Sequence, residues 1–418
     1  MDPFGAFVAG HQRVLPATRT NKRFNAGEHA WLGGYGAEQA CDELLRKRGI
    51  RVDKSLFESI SRHSGRELLP YGELVALSGD FYESPEEMFY EKPSPIAWLW
   101  ESNDLSDLRE MFDQELKWIE ASRQGTPGGS YPENNIRFAW NAKSYIELAL
   151  SNTDHFGWHN VMAYCRHHAA ALDLAWEARG RNNETFQRAL YTNAFADHFL
   201  TDGFAAGHIR VPRAEIRTWA DSKGWDEKIA GALSKLLHDQ DGHIDVHSLH
   251  GIAENKDGRS DDGLLVCDST GTAWRTFCDG QLFLKTDADR SLAIARPVAA
   301  VAASVLELLL AWSIGELPSS TYAATKYVPF PHPTERALAE KFPGDMPQAD
   351  LDSIWKNVEW YSKIDWLGGL TQQHIRELFE ALPQLMADFR MHVTADASDT
   401  LLQSRVDPFY VNAFKQIR

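Results

Sequence analysis

In the stretch NAFADHFLTDGFAAGHIRVPR, residues 193–213, Asp202 follows His198 by four places and His208 follows Asp202 by six. Leu190, Ala194, His198 and Asp202 advance in steps of four, so on a helix the imidazole and the carboxylate share a face with apolar neighbours and point inward. Burying a carboxylate alone costs several kcal/mol, so Asp202 must be protonated, paired with a cation or bound to a metal. Two chemistries satisfy that demand. A His–Asp hydrogen bond is a purely structural solution, whereas a neutral imidazole and a carboxylate four apart on a helix can chelate one divalent ion. Spacing alone leaves both open. The helix is expected to end at Gly207, which returns His208 to its end as a third donor.

Several elements must position such groups. Residues 134–240 read as four helices, NIRFAWNAKSYIELALS, HNVMAYCRHHAAALDLAWEARG, ETFQRALYTNAFADHFLTDGFAAG and WDEKIAGALSKLLHD, each with apolar residues at three- and four-residue spacing. The third is expected to start after Asn183. Residues 242–284 differ: GLLVCDSTGTAWRTFCDG has β-rich runs around a Thr-Gly turn and reads as an inserted hairpin. The apolar run at 298–314 is short for a membrane span and carries Glu307, so it reads as a core helix. Beyond residue 317 the pattern weakens, with helices near 350–363 and 371–396, the second expected to be kinked or divided by Pro383. The fold class is all-α: a helical bundle over 1–317 with a small β-hairpin insertion, followed by a helical extension over 318–418.

Composition narrows the chemistry. With 43% hydrophobic and 24% charged residues and 14 Trp, the 418-residue chain is too apolar and aromatic to be disordered. A net charge of −16 disfavours a general nucleic-acid surface, which needs Lys and Arg to neutralise phosphates. Four cysteines are too few and scattered for a disulfide scaffold or a Cys-rich zinc module. Across a hairpin turning at DSTG, Cys267 and Cys278 are offset rather than opposed, which argues against a bridge. Ten of the sixteen histidines, by contrast, lie between His155 and His250, a clustering that asks for a cause.

Three further segments, GEHAWLG (27–33), ALSGDFYES (76–84) and NTDHFGWHN (152–160), add His29, Asp80 and His155. In order, and with the opening stretch, they resemble the zinc-dependent phospholipase C family over roughly residues 25–310. That family shares an all-α bundle with zinc-dependent single-strand nucleases. The resemblance implies two or three Zn²⁺ ions, with Asp80, His155, His198 and Asp202 around one and Asp202 bridging to another held by His29. It also implies a third ion at His208, completed by a downstream His and a carboxylate. His238 and Asp241 are the favoured pair, His238 with Asp239 a variant of it, and His250 with Glu254 has the family's four-residue spacing. The family uses the amino group of an N-terminal Trp, for which Met1 and Asp2 offer no counterpart. Of its aromatic choline pocket, Phe81 falls at one position as a substrate contact and Asn152 at another.

The implied activity is zinc-dependent phosphodiester hydrolysis, most simply a phospholipase C acting at a membrane surface and releasing diacylglycerol and a phosphorylated headgroup. Asp80 and Asp202 would be its catalytic carboxylates. A single-strand nuclease of the same fold and a non-catalytic protein with structural zinc are the alternatives. The N-terminus MDPFGAFVAGHQRVLP lacks the basic start and apolar run of a cleaved leader, so the expectation is delivery by a signal-independent secretion machine, with an immunity protein as a possible partner. The other histidines read as structural. His168 is a hydrogen-bonded core or supporting residue beside His167, and His159, four after His155, resembles a helical chelate but is read first as packing. Trp158 and Trp274 are read the same way.

Overall fold

The computed structural model describes residues 26–63, 67–91, 105–125, 152–241, 263–277, 282–283, 288–358, 369–395 and 400–418, with residues 132 and 148. Among them the chain is mostly helical. The first helices are α1 (Ala26–Arg48), α2 (Tyr71–Leu77), α3 (Pro85–Tyr90) and α4 (Leu105–Arg123). There follow α5 (Gly157–Ala178), α6 (Glu184–Asp202), α7 (Ala206–Ile209), α8 (Arg213–Ser222), α9 (Glu227–Asp241) and α10 (Ala288–Ile314). Beyond residue 317 lie α11 (Leu338–Lys341), α12 (Gln348–Val358), α13 (Gln372–Ala395), α14 (Thr400–Gln403) and α15 (Pro408–Phe414). The first helix read from the sequence, residues 135–151, lies outside the described residues apart from residue 148.

Helix α6 is the axis of the molecule. Asn183 caps it, its side chain accepting from Phe186 N at 3.1 Å, and every residue from Ala189 to Asp202 is buried. A helix buried all round over this length needs neighbours on every side. It has them in α2, α5 and α10, while α1 packs on α2, α4 and α10. These contacts are close because glycines allow them: a Cβ on Gly72 of α2 would stand 2.1 Å from the Ala30 carbonyl oxygen of α1. Helix α10 is long and apolar enough to cross a bilayer, but Val298, Val301, Val305, Leu308 and Leu309 are buried, and α10 packs against α1, α5 and α6. It begins ten residues before the 298–314 run, continuing through Pro297.

A polar network runs through this apolar core. Tyr71 Oη donates to Asp197 Oδ2 at 2.7 Å, and Asn193 Nδ2 donates to the same oxygen at 3.2 Å. His168, fully buried, lies 2.8 Å from Asn193 Oδ1 through Nδ1 and 3.1 Å from Glu307 Oε2 through Nε2. Thus α2, α5, α6 and α10 are fixed to one another by directional bonds, which set the rotation of α6 more narrowly than packing would.

The sheets are small. Ile60–Ser61 (β1) pairs antiparallel with Leu68–Leu69 (β2). The expected hairpin is present as Leu264–Cys267 (β3) against Ala273–Thr276 (β4), with Cys267 opposite Ala273. Cys267 is a free thiol, and Cys278 lies outside the described residues. The sequence did not suggest a third strand, Phe330–Pro331 (β5), which joins β3 from beyond residue 317. Two residues with a proline carry no strand pattern, and proline is tolerated because this is an edge.

Among the described residues the extension does not form a core of its own. One cluster of buried apolar side chains runs from Ala26 to Ile417, and Trp158 of α5 meets Phe414 of α15 edge-on at 5.7 Å. Helix α13 runs unbroken through Pro383, a correction to the expected division. The buried row Leu378, Phe379, Leu382, Leu385, Met386 and Phe389 holds it in place, and the backbone hydrogen bond lost at proline is the smaller effect.

His167 gives the fold an acid-sensitive point. Its ring lies parallel to Phe199 at 5.6 Å and 3°, and burial lowers its pKa to about 4 from an ordinary 6.5. Between those two pH values the unfolded chain takes up a proton that the folded chain refuses, so stability falls as pH drops through that window. His167→Phe is therefore expected to lose less of its urea midpoint between pH 7 and pH 5 than the wild type does.

Candidate metal centre

The C-terminal end of α6 is where donors from distant parts of the chain converge. Asp202 is its last residue and Gly203 its cap, so the helix stops one turn before the expected Gly207. Gly207 serves a different purpose: it sits in the short helix α7, where a Cβ would lie 2.4 Å from His238 Cδ2. The chain thus turns sharply after Asp202 and brings His208 back over the end of α6. There the His208 ring lies flat on Phe156, 4.5 Å away and 6° from parallel.

Around Asp202 the distances are short. Oδ1 lies 3.3 Å from His29 Nε2, while Oδ2 lies 2.5 Å from His155 Nδ1, 3.5 Å from His198 Nε2 and 3.8 Å from His208 Nδ1. Donor atoms of His155, His198 and Asp202 fall within 4.8 Å of one another, as do those of His29, Asp80 and His198. All but Asp80 are buried; Asp80, at intermediate exposure, follows α2 through Gly79. The sequence therefore located His29, Asp80, His155, His198, Asp202 and His208 at one place.

The hydrogen bonds on the far side of each ring decide what the near side offers. His198 Nδ1 lies 3.0 Å from the Val75 carbonyl oxygen and His208 Nδ1 lies 2.8 Å from that of His155. A carbonyl can only accept, so Nδ1 carries the proton in both rings and Nε2 is left as a lone pair in the neutral form. His29 Nδ1 is 2.8 Å from Thr201 Oγ1, whose own hydrogen is directed to the carbonyl oxygens of Asp197 and His198. The same logic leaves His29 Nε2 as an acceptor facing Asp202. Burial lowers the His198 pKa to about 3, keeping that ring neutral at pH 7. Burial opposes ionisation of Asp202, but His208 and His155 beside it, with the hydrogen bond that His155 Nδ1 donates to Oδ2, outweigh it and hold the carboxyl well below its ordinary range.

Lone pairs and a carboxylate pointed at one another in an apolar core repel unless a cation lies among them. Among the described residues, His155 Nε2 and His198 Nε2 have no hydrogen-bond partner. Both face the open side of Gly79: a Cβ there would stand 2.9 Å from His155 Nε2 and 2.7 Å from His198 Nε2. The residues fit a divalent metal in donor chemistry and in the cradle that Gly79 keeps clear.

No family model matches the chain, and neither a characterised protein nor a solved structure matches it.

Asp241, its variant Asp239 and Phe81 are placed differently from the expectation, whereas His238 is not. His238 does approach His208, with ring centroids 4.9 Å apart, and its Nδ1 lies 3.0 Å from Asp239 Oδ1. Asp241, expected to join them, instead forms a fork with Arg210: Nε to Oδ2 at 2.7 Å and Nη2 to Oδ1 at 2.6 Å, with Lys341 Nζ 3.4 Å from Oδ1. Burial opposes the Asp241 charge, but Arg210 and Lys341 outweigh it and hold the carboxyl below its ordinary range. Asp239 is the other expected acid, and it is bound by Lys235 at 2.9 Å and 3.0 Å. His250 and Glu254 lie outside the described residues. Phe81 is packed edge-on against Phe112 at 5.8 Å and is almost wholly buried, a position that makes it core rather than the expected headgroup contact. Asn152 is within 3.5 Å of the Gly79 carbonyl oxygen.

The Arg210–Asp241 pair has a measurable consequence. Asp241→Asn leaves a buried guanidinium without its counter-charge, which costs about 3–5 kcal/mol in comparable buried pairs. Urea unfolding is expected to show that loss while the variant's metal content stays at the wild-type level.

Sequence reading missed the groups that aim the rings: Thr201, the Val75 carbonyl, Gly79 and the Asp197 network. Thr201 stands next to Asp202 and Asp197 next to His198, so adjacency was the only available signal. Nothing local marks a carbonyl as a ring's partner.

Proposed function

We propose that this protein is a zinc-dependent phosphodiester hydrolase, with a phospholipase C acting on glycerophospholipids as the favoured form. One observation carries the reading: His198, locked by the Val75 carbonyl, and His29, locked by Thr201, turn their Nε2 lone pairs onto the buried Asp202 carboxylate, an arrangement whose charges balance with divalent cations. Asp80, His155, His198 and Asp202 would hold one zinc ion, with His29 and the second oxygen of Asp202 holding another. His208 and His238 are the donors for a third. A bundle of the zinc phospholipase C and nuclease type suits the helical architecture. Zinc bound at this place supplies Lewis acidity and a water ionised near neutral pH.

The chain's own residues would then divide the work. Asp80, the more exposed carboxylate, orients the attacking water and accepts its proton at a carboxylate oxygen. Asp202 spaces the donors by presenting a different oxygen to His29 than to His155 and His198. Thr201 and the Val75 carbonyl keep His29 and His198 in the tautomer that donates its N–H from Nδ1 and offers a lone pair at Nε2. The apolar shell of Phe156 and Phe199 limits water beside the rings and so strengthens every charge interaction among them. Attack by water on phosphorus would break the bond to the glycerol oxygen, and the proton taken by the Asp80 carboxylate would pass to that departing oxygen, so that the alcohol leaves, the carboxylate is regenerated and no covalent enzyme intermediate forms.

The test is release of phosphorylated headgroup and diacylglycerol from phosphatidylcholine vesicles by the zinc-loaded protein, run beside digestion of single-stranded DNA. Headgroup release that stops with chelator supports the proposal. DNA cleavage alone replaces the lipase with a nuclease, and cleavage of neither with zinc bound overturns the hydrolase reading.

A further inference from the structure

We propose a second divalent-metal site, separate from the first, at His159, Glu215 and His392, where it fastens the helical extension to the bundle. His159 comes from the first turn of α5, Glu215 from the first turn of α8 and His392 from the end of α13, so three elements far apart in sequence meet here. Their donor atoms lie within 4.8 Å of one another. Glu215 Oε1 is 2.6 Å from His392 Nδ1 and 3.4 Å from His159 Nε2, and the two rings stand 5.6 Å apart at 63°.

Burial separates this cluster from an ordinary surface ion pair. The Glu215 side chain is only 1% exposed, while His159 and His392 are 25% and 50% exposed. The carboxylate is thus the inner wall of a shallow site whose imidazoles form the rim, and an ion can enter from solvent. Both close contacts fall on Oε1, and among the described residues Oε2 has no hydrogen-bond partner. A carboxylate serving two imidazoles by hydrogen bonding alone leaves that buried oxygen unsatisfied, at a cost that natural cores avoid. A cation between the three donors uses the carboxylate's charge as well as its lone pairs.

The donor set names the class of ion. Two imidazoles and one carboxylate suit zinc or another late first-row divalent ion, whereas magnesium and calcium prefer oxygen throughout. Three protein ligands on an accessible rim also leave room for water as a fourth. The expected role is structural. Helix α13 packs on α8 and α9, Gly157 of α5 lies so close to Phe389 of α13 that a Cβ would meet its ring at 2.3 Å, and the metal would pin the same junction a turn farther along.

The full chain, stripped with chelator and dialysed against micromolar free Zn²⁺, tests this by metal content and thermal midpoint, independently of any hydrolytic activity. Wild type is expected to bind one more zinc per chain than His392→Ala and than His392→Gln, and to show a larger zinc-dependent rise in melting temperature than either. His392→Gln keeps a donor beside Glu215 and retains the fold if a hydrogen bond is all that is needed. Equal zinc content in wild type and His392→Gln, or a glutamine variant with the full zinc-dependent rise, overturns the site.

Discussion

Asp202→Ala is expected to lose at least two zinc ions per chain and to lower phosphodiester hydrolysis by a factor of about 1,000 or more, the scale set by removing a group that organises reacting charge. The reason lies in how its two oxygens are divided. Oδ1 faces His29 and Oδ2 faces His155, His198 and His208, so one side chain serves four imidazoles at this end of α6. Its removal leaves lone pairs facing one another with only the more exposed Asp80 to supply negative charge. Elemental analysis of the dialysed variant, beside headgroup release from phosphatidylcholine, checks both parts. A variant that keeps its ions and its turnover would remove Asp202 from the site. Asp241→Asn is the companion measurement, since it costs stability at a carboxylate only three residues from His238 yet is expected to leave the ions in place.

Gly79→Ala adds a single methyl group, and its expected effect is nearly as large. Gly79 has φ +71°, a conformation that L side chains rarely adopt, so alanine there costs about 1–2 kcal/mol of backbone strain. The methyl would also stand 2.6 Å from His198 Cδ2 and 2.9 Å from His155 Nε2, inside the space into which both rings direct their donors. Zinc affinity is expected to fall 10- to 100-fold or more, the range seen when the groups around metal ligands are disturbed. Competition with a chromogenic chelator reads the affinity and urea unfolding of the metal-free protein reads the strain. Unchanged affinity with only the strain present would mean that the metal does not sit against Gly79.

The two substitutions probe different levels of design, and the sequence revealed them unequally. His198 and Asp202 are legible because both stand on one helix, where the 3.6-residue period puts positions four apart on one face. The Asn183 cap and the apolar steps through Leu190 and Ala194 are legible for the same reason. Gly79 is not, because a glycine between Ser78 and Asp80 looks like any turn until His198 of α6 and His155 of the turn before α5 close on it. Asp241 shows the converse failure. It lies three places from His238, a plausible spacing for a shared ligand face, but Arg210 and Lys341, 31 and 100 residues away in the chain, reach it and neutralise its charge. Phe81 likewise has the right type for a substrate contact, but Phe112 covers it. Glu215 and His392 are 177 residues apart, beyond the reach of any local pattern.

By itself the sequence determined the helical class, the inward face of α6, the hairpin near the DSTG turn and the set of imidazoles and carboxylates available for metal chemistry. These follow from periodicity and side-chain type, which act over a few residues. Only the tertiary structure decided which nitrogen each ring offers, which carboxylates are already neutralised by Lys or Arg, where the second His–Glu–His cluster forms, and how the extension joins the core. Those outcomes depend on which groups become neighbours when helices pack, and burial makes each pairing exclusive: a buried charge or lone pair must be answered by whatever group the fold places beside it.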